Sequence, residues 1–227
     1  MQHKLYKTLL KRIFSMFPLK YYQRVYPYAV SKQIFYDDLL KTKSYLKRED
    51  GYKNLFHNIL KNKQIIYLEF GVWEGRSIKY ISKLNNNPKS KFIGFDTFEG
   101  LPEDWTEGLK KGAFSTQGKV PLVDDQRIKF VKGLFQNTLE EELKNLDLNN
   151  NDNLIIHFDA DLYSSTSYVL NSFRDFSYYA IFDEFLGDEA LALYDFLRSN
   201  ECEIEWLSVV FDKIKYPLKT IGYIKSK

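Results

Sequence analysis

A chain of 227 residues, 44% hydrophobic and 17% aromatic, is long enough to bury a full core without staples. Its net charge of +3, from 33 basic and 30 acidic side chains, gives no global case for a nucleic-acid partner. One cysteine, Cys202, excludes an internal disulfide, and no apolar run reaches the ~20 residues of a membrane span.

The first residues are the most basic part of the chain. Residues 1–36 hold Lys4, Lys7, Lys11, Arg12, Lys20, Arg24 and Lys32 and no acid, so the remainder is net acidic. Leu5, Leu9, Ile13 and Phe17, with Leu10 and Phe14 beside them, predict an amphipathic helix over 4–17, ended by Pro18. The apolar stretches are short and broken by lysines, so no cleavable signal is legible and the chain reads as cytoplasmic. After Tyr21, Tyr22, Tyr26 and Tyr28, a second helical pattern runs from Ser31 to Lys47. Residues 1–50 are therefore read as a basic helical extension that caps the main domain or joins copies into a homo-oligomer. Contact with a membrane surface is the less favoured use of such helices.

From about residue 51 to 227 strands and helices alternate. Strands are expected at Gln64–Phe70, Lys91–Asp96, Arg127–Lys132, Asn153–Asp159 and Tyr178–Asp183, then at Glu203–Phe211 and Leu218–Ile224. Helices fit at 76–85, 138–146, 163–176 and 187–199. Such alternation implies an α/β fold, a doubly wound, mostly parallel sheet with helices on both faces. The last two strands, joined by a short turn near Tyr216–Pro217, must pair antiparallel, because a parallel crossover needs a dozen or more residues. The interval 97–126 has no clean period yet carries Phe98, Trp105 and Phe114, which suits a lid better than a linker.

The chemistry gathers at the carboxyl ends of the expected strands, where open α/β sheets bind ligands. The first strand runs into Glu69-Phe70-Gly71-Val72-Trp73-Glu74-Gly75-Arg76-Ser77. Glycine after a strand lets backbone approach a ligand at a helix N-terminus. The Gly-x-x-x-Gly spacing differs from the Gly-x-Gly-x-x-Gly of dinucleotide folds and argues against NAD or FAD. Asp96 ends the second strand and can accept both hydroxyls of a ribose. Gly133 and Phe135 follow the third strand and can wall an adenine. The fourth and fifth strands end in Asp159-Ala160-Asp161 and Asp183-Glu184. Carboxylates crowded there repel unless a cation sits among them, and hard oxygen donors suit Mg²⁺ or Mn²⁺. Asp161, ahead of a helix, is the acid best placed to be only a cap, and His157 reads as a packed neighbour of these acids.

These stretches, with Phe95-Asp96-Thr97-Phe98-Glu99-Gly100-Leu101-Pro102, Gly133-Leu134-Phe135-Gln136-Asn137-Thr138-Leu139 and Asp159-Ala160-Asp161-Leu162-Tyr163-Ser164-Ser165-Thr166, resemble the macrocin-type sugar O-methyltransferases over about residues 64–198. The resemblance implies the class I methyltransferase sheet of seven strands with the last antiparallel, and S-adenosyl-L-methionine as cofactor. It implies that Glu69, Gly71, Gly75 and Ser77 hold the methionine end, Asp96 with Thr97 the ribose, and Gly133 with Phe135 the adenine. Asp159, Asp183 and Glu184 would bind the divalent cation. Here Glu184 is one methylene longer than the usual residue, Phe176-Ser177-Tyr178-Tyr179 replaces the usual Pro-Gly-Gly, and the lysine base of the catechol-type enzymes is missing. Asp159 or Asp161 then remains as base.

Together these features read as a metal-dependent O-methyltransferase acting on a sugar hydroxyl, with a lid in which Trp105 and Lys111 meet the acceptor. A nucleotide-linked sugar for a surface polysaccharide or glycosylated metabolite is the preferred acceptor. The alternatives are methylation of a catechol-like phenol, and a cofactor-binding module without activity.

Overall fold

The structure, a computed structural model, describes residues 19–146, 148, 153–185 and 187–226. The helix expected over 4–17 lies outside the described residues.

The described chain opens with helix α1 (Leu19–Val30), a π-helical turn (Ser31–Phe35) and α2 (Tyr36–Lys41), running on without a break. The aromatic stretch at 21–28 is thus helical, despite Pro27 inside it. Proline removes a backbone donor, and the wider π turn begins four residues later. The helix expected over 31–47 stops at Lys41, and Ser44–Tyr45 forms a two-residue strand, β1. Next come α3 (Arg48–Lys53) with a π-helical continuation (Asn54–Ile59), β2 (Ile66–Phe70), α4 (Arg76–Ser82) and β3 (Lys91–Asp96). The chain proceeds through β4 (Ile128–Lys132), α5 (Phe135–Lys144), β5 (Leu154–Phe158), α6 (Tyr163–Ser172) and β6 (Tyr178–Phe182). It ends with α7 (Asp188–Ser199), β7 (Cys202–Phe211) and β8 (Pro217–Ser226).

The sheet has eight strands in the order β1-β7-β8-β6-β5-β2-β3-β4. β8 runs antiparallel to both neighbours and the other pairings are parallel, as the short β7–β8 turn requires. The eighth strand is β1, which pairs parallel with β7 through Ser44↔Val209 and Tyr45↔Val210. Two residues are too short for any sequence period to reveal.

β2 and β5 are buried along their whole length, the mark of central parallel strands. One core face packs Phe70, Phe158, Phe173 and Phe182 against Val30, Phe35, Leu39 and Leu193. Phe70–Phe95 and Phe158–Phe182 stack across neighbouring strands with centroids 4.8 Å apart. The opposite face packs Tyr52, Leu55, Phe56, Tyr67, Ile78 and Phe92. Each strand of the pair β2/β5 and the pair β5/β6 is tied one residue beyond its end: Asp159 N–H donates to Phe70 O (2.9 Å) and Asp183 N–H to Phe158 O (3.0 Å). Gly71 N–H likewise donates to Phe95 O at 3.0 Å. The strand ends are therefore level, and the turns leaving them open into one crevice.

Candidate active site

That crevice is a cavity of about 620 Å³, within the range usual for small-molecule sites. Gly71, Trp73, Asp96, Thr97, Leu134 and Phe135 line one half of it. Asp159, Asp161, Ser164, Ser165 and Glu103 line the other.

The first half is built from backbone. Gly71 has φ +93°, and a Cβ there would strike the carbonyl oxygen of Asp159 on the neighbouring strand. The turn after it is fixed by Asp96: its Oδ2 accepts the N–H groups of Val72 and Trp73, both at 2.7 Å, and its Oδ1 accepts that of Phe98 at 2.7 Å. A carboxylate has about four acceptor positions, so one is left for a ligand hydroxyl. Thr97 accepts from Glu99 N–H at 3.1 Å and donates to Gly100 O at 3.1 Å, closing the start of the next loop. Phe135 opens α5 and packs edge-on against Phe70 (5.1 Å) while facing the cavity.

Four residues assigned to the cofactor stand behind this wall and do not line the cavity. Gly75 caps α4 at φ +72°, Ser77 is buried in its first turn, and Gly133 turns the chain into α5. Glu69 is fully buried, accepting a 2.5 Å hydrogen bond from the Tyr67 hydroxyl. Tyr67 Oη in turn lies 2.6 Å from His157 Nδ1. Burial works against a charged His157, but Asp183 and Glu69 outweigh it and hold the imidazole up at about 9.

The second half is acidic. Asp161 sits at φ +61° in the tight turn after β5, where Leu162 N–H donates to Ala160 O at 2.6 Å; short polar side chains tolerate this left-handed region. Burial, then Glu184 and Asp183, push its carboxyl up to about 7, against the pull of Lys219. Burial and Asp183 also push Asp159 well above the carboxylate range. Asp183 goes the other way: burial opposes its charge, but His157 and Lys219 hold it far below that range. Burial, then the field of Asp183, raise Glu184 in spite of Lys219.

Donor atoms of His157, Asp159 and Asp183 lie within 4.8 Å of one another, a candidate metal cluster. Glu184 is not in that group, and His157, read from sequence as a packed neighbour, is. Asp183, however, is already saturated. Its Oδ1 accepts from Arg48 Nη1 (3.0 Å) and Tyr52 Oη (3.3 Å), and its Oδ2 from Arg48 Nη1 (3.1 Å) and Lys219 Nζ (2.5 Å). As packed, this donor set does not fit a divalent ion, which would have to displace a cation from Asp183. Neither Arg48 nor Lys219 was read as a site residue from the sequence, since each arrives from a distant part of the chain. Glu189 was missed too; buried on α7, it accepts Glu184 N–H at 3.1 Å.

The segment 97–126 contains no helix or strand and contributes part of the cavity wall. Gly100 and Phe114 from it line the site. It is fastened to the acidic half by Ser164 Oγ donating to Glu103 Oε1 (2.5 Å), and the Trp105 indole stands by Asp188, where it favours the charged carboxylate. On the other half Phe114 meets Trp73 edge-on at 6.0 Å. Trp105 and Lys111 do not line the cavity: Trp105 stands by Asp188, and the Lys111 backbone N–H donates to Asp104 at 2.9 Å.

No protein-family model matches the chain, and no curated protein matches it. Solved structures do match. An O-methyltransferase from Bacillus cereus, in complex with SAH, is 12% identical over 89% of this chain and 98% of its own, with TM-score 0.50. The TDP-rhamnose 3′-O-methyltransferase CalS11 of calicheamicin biosynthesis is 22% identical over 78% of this chain and 80% of its own, with TM-score 0.49. The O-methyltransferase TomG from Streptomyces achromogenes, in complex with SAM, is 12% identical over 88% of each chain, with TM-score 0.45. The chain has the class I methyltransferase fold, with one edge strand added. No helix among the described residues is long and apolar enough to cross a membrane.

Proposed function

We propose that this chain transfers a methyl group from S-adenosyl-L-methionine to a hydroxyl of a small molecule, a sugar in the preferred case. The observation that carries the reading is the single cavity in which the Gly71 turn, Asp96 and Phe135 face Asp159 and Asp161. When bound, the cofactor supplies an electrophilic methyl on a sulfonium; the acceptor oxygen gains the O–C bond as the C–S bond breaks and the sulfur becomes a neutral thioether. Asp96 holds the ribose with its free acceptor position, and Phe135 borders the adenine. Asp161 accepts the hydroxyl proton, its carboxyl poised near 7 so that it is both ionised and basic at neutral pH. Asp159, whose carboxyl burial and Asp183 push upward, faces the acceptor from the same wall. The remainder is alignment and exclusion of water by the segment over the mouth.

The sugar assignment is supported by the motif resemblance and by the polar acceptor half, where Glu103, Asp161, Ser164 and Ser165 offer partners to several hydroxyls. Lys111, exposed on the segment, would meet the phosphates of a nucleotide sugar. A second reading places Mg²⁺ or Mn²⁺ among Asp159, Asp183 and Glu184. The convergence of Asp159 and Asp183 favours it, with His157 in place of Glu184 as the third donor, and it requires Lys219 to move.

Calorimetry with S-adenosylhomocysteine, then mass spectrometry of nucleotide sugars incubated with protein and cofactor, tests the proposal. We expect one site per chain with a Kd of about 1–100 µM and a mass gain of one methylene on an acceptor. A folded protein with no affinity for the cofactor product would sink it.

A further inference from the structure

Lys219 reaches the acidic half because β8 runs backwards. The register that pairs Phe182 with Thr220 sets Lys219 opposite Asp183, the residue just past the end of β6. Its ammonium bonds Asp183 twice, at Oδ2 (2.5 Å) and at the main-chain carbonyl (2.6 Å). Arg48 comes from α3, 135 residues away in sequence, and spans both oxygens of the same carboxylate. The pairs are largely withdrawn from water, with side chains 11% exposed for Asp183, 28% for Lys219 and 30% for Arg48.

This arrangement has the charge a metal site would otherwise need. Asp159, Asp161, Asp183 and Glu184 crowd the strand ends, and two fixed cations stand among them. A divalent ion would have to compete for the acceptor positions of Asp183, which are all taken, and sit beside an ammonium and a guanidinium. Lys219 is moreover pinned to the backbone as well as the side chain of Asp183, so it is part of the strand-end geometry.

We propose that Lys219, with Arg48, is the resident counter-cation of this carboxylate cluster, a positioning residue in the place a divalent metal would fill, and that the site works without one. Exclusion of the metal is independent of the methyl-transfer reading; only turnover without metal rests on it.

The test titrates Mn²⁺ alone into the full chain and tracks the free-ion signal by electron paramagnetic resonance. We expect the wild type to bind no Mn²⁺ more tightly than about 1 mM, and Lys219→Met to gain one site at least tenfold tighter. Lys219→Gln, which keeps a donor for the Asp183 carbonyl, carries the comparison should the methionine variant not fold. One Mn²⁺ per wild-type chain at micromolar affinity would overturn the proposal, and so would absence of binding in both proteins, since Lys219 would then not be what keeps the ion out. If cofactor binding fails while these results hold, the methyl-transfer reading falls and the cation assignment stands. Turnover unaffected by a chelator supports it, and turnover lost to the chelator and restored by Mn²⁺ overturns it.

Discussion

The two halves of the cavity are made in different ways. The cofactor half is local and backbone-rich: a glycine that admits a neighbouring strand, a turn held by three N–H bonds to Asp96, and one aromatic opening a helix. The acidic half is long-range: Asp159, Asp161 and Asp183 stand just past adjacent strands, burial and the neighbouring carboxylates raise the first two, and His157 with Lys219 from β8 holds Asp183 charged against its burial. A backbone cradle holds a constant ligand cheaply, because amides cost no ordering of side chains. A side-chain cluster can separate the affinities of neighbouring carboxylates for protons, and that is what assigns a base. In the proposed reading, the difference between the halves is a division between binding and chemistry.

The largest expected effect breaks the acidic half alone. Asp161→Asn removes the base and should lower kcat by about 10²–10⁴-fold, with cofactor affinity unchanged within about twofold. The sign of the pH dependence comes from the raised carboxyl: Asp161 works ionised, so the wild-type rate should climb as pH rises through about 7. In the asparagine variant that ascending limb should vanish. A variant that keeps both the rate and the limb would hand the role of base to Asp159 or to solvent.

The same division governs what the sequence revealed. The strands β2 to β8 and the antiparallel ending were legible because apolar runs and short connections are local properties. Gly71, Asp96, Phe135, Asp159, Asp161 and Asp183 were legible because each stands within two or three residues of a strand end. β1 was not, being two residues long. Arg48 fell in a stretch read as a helical extension, and only the packing of α3 brings it to Asp183. Lys219 could have been suspected: with β8 antiparallel beside β6, a lysine at its start must lie near the carboxyl end of β6. His157 was seen as a neighbour of the acids, but its bond to Tyr67 depends on β2 and β5 pairing Glu69 with His157.

An intermediate effect sharpens the cofactor half. Asp96→Ala should weaken S-adenosylhomocysteine by about 30–160-fold, or 2–3 kcal/mol, for the loss of charge-assisted bonds. Part of that loss belongs to the turn, since Val72, Trp73 and Phe98 lose their acceptor. Asp96→Asn, which keeps one acceptor oxygen, should retain part of the affinity. Calorimetry on a variant with wild-type circular dichroism reads this directly, and unchanged affinity would remove Asp96 from the ribose.

The smallest effect asks to which half the segment 97–126 belongs. It touches both, through Trp73–Phe114 on one side and through Glu103–Ser164 and Trp105–Asp188 on the other. The hydrogen-bonded fastening Ser164–Glu103 and the approach of Trp105 to Asp188 are both on the acidic side, so loosening one should be felt by the acceptor. Trp105→Ala leaves Glu103–Ser164 in place, and a rise in acceptor KM of about 3–10-fold is expected. Cofactor affinity should stay within about twofold, because the Phe114 contact is untouched. Lys111→Ala should act in the same direction only with acceptors that carry phosphate, because its side chain offers a mobile point charge and no wall. Trp105→Ala that instead weakens the cofactor and spares acceptor kinetics would move the segment to the cofactor half. The acidic half would then be open to acceptors of any shape, and specificity would rest on Asp161, Ser164 and Ser165.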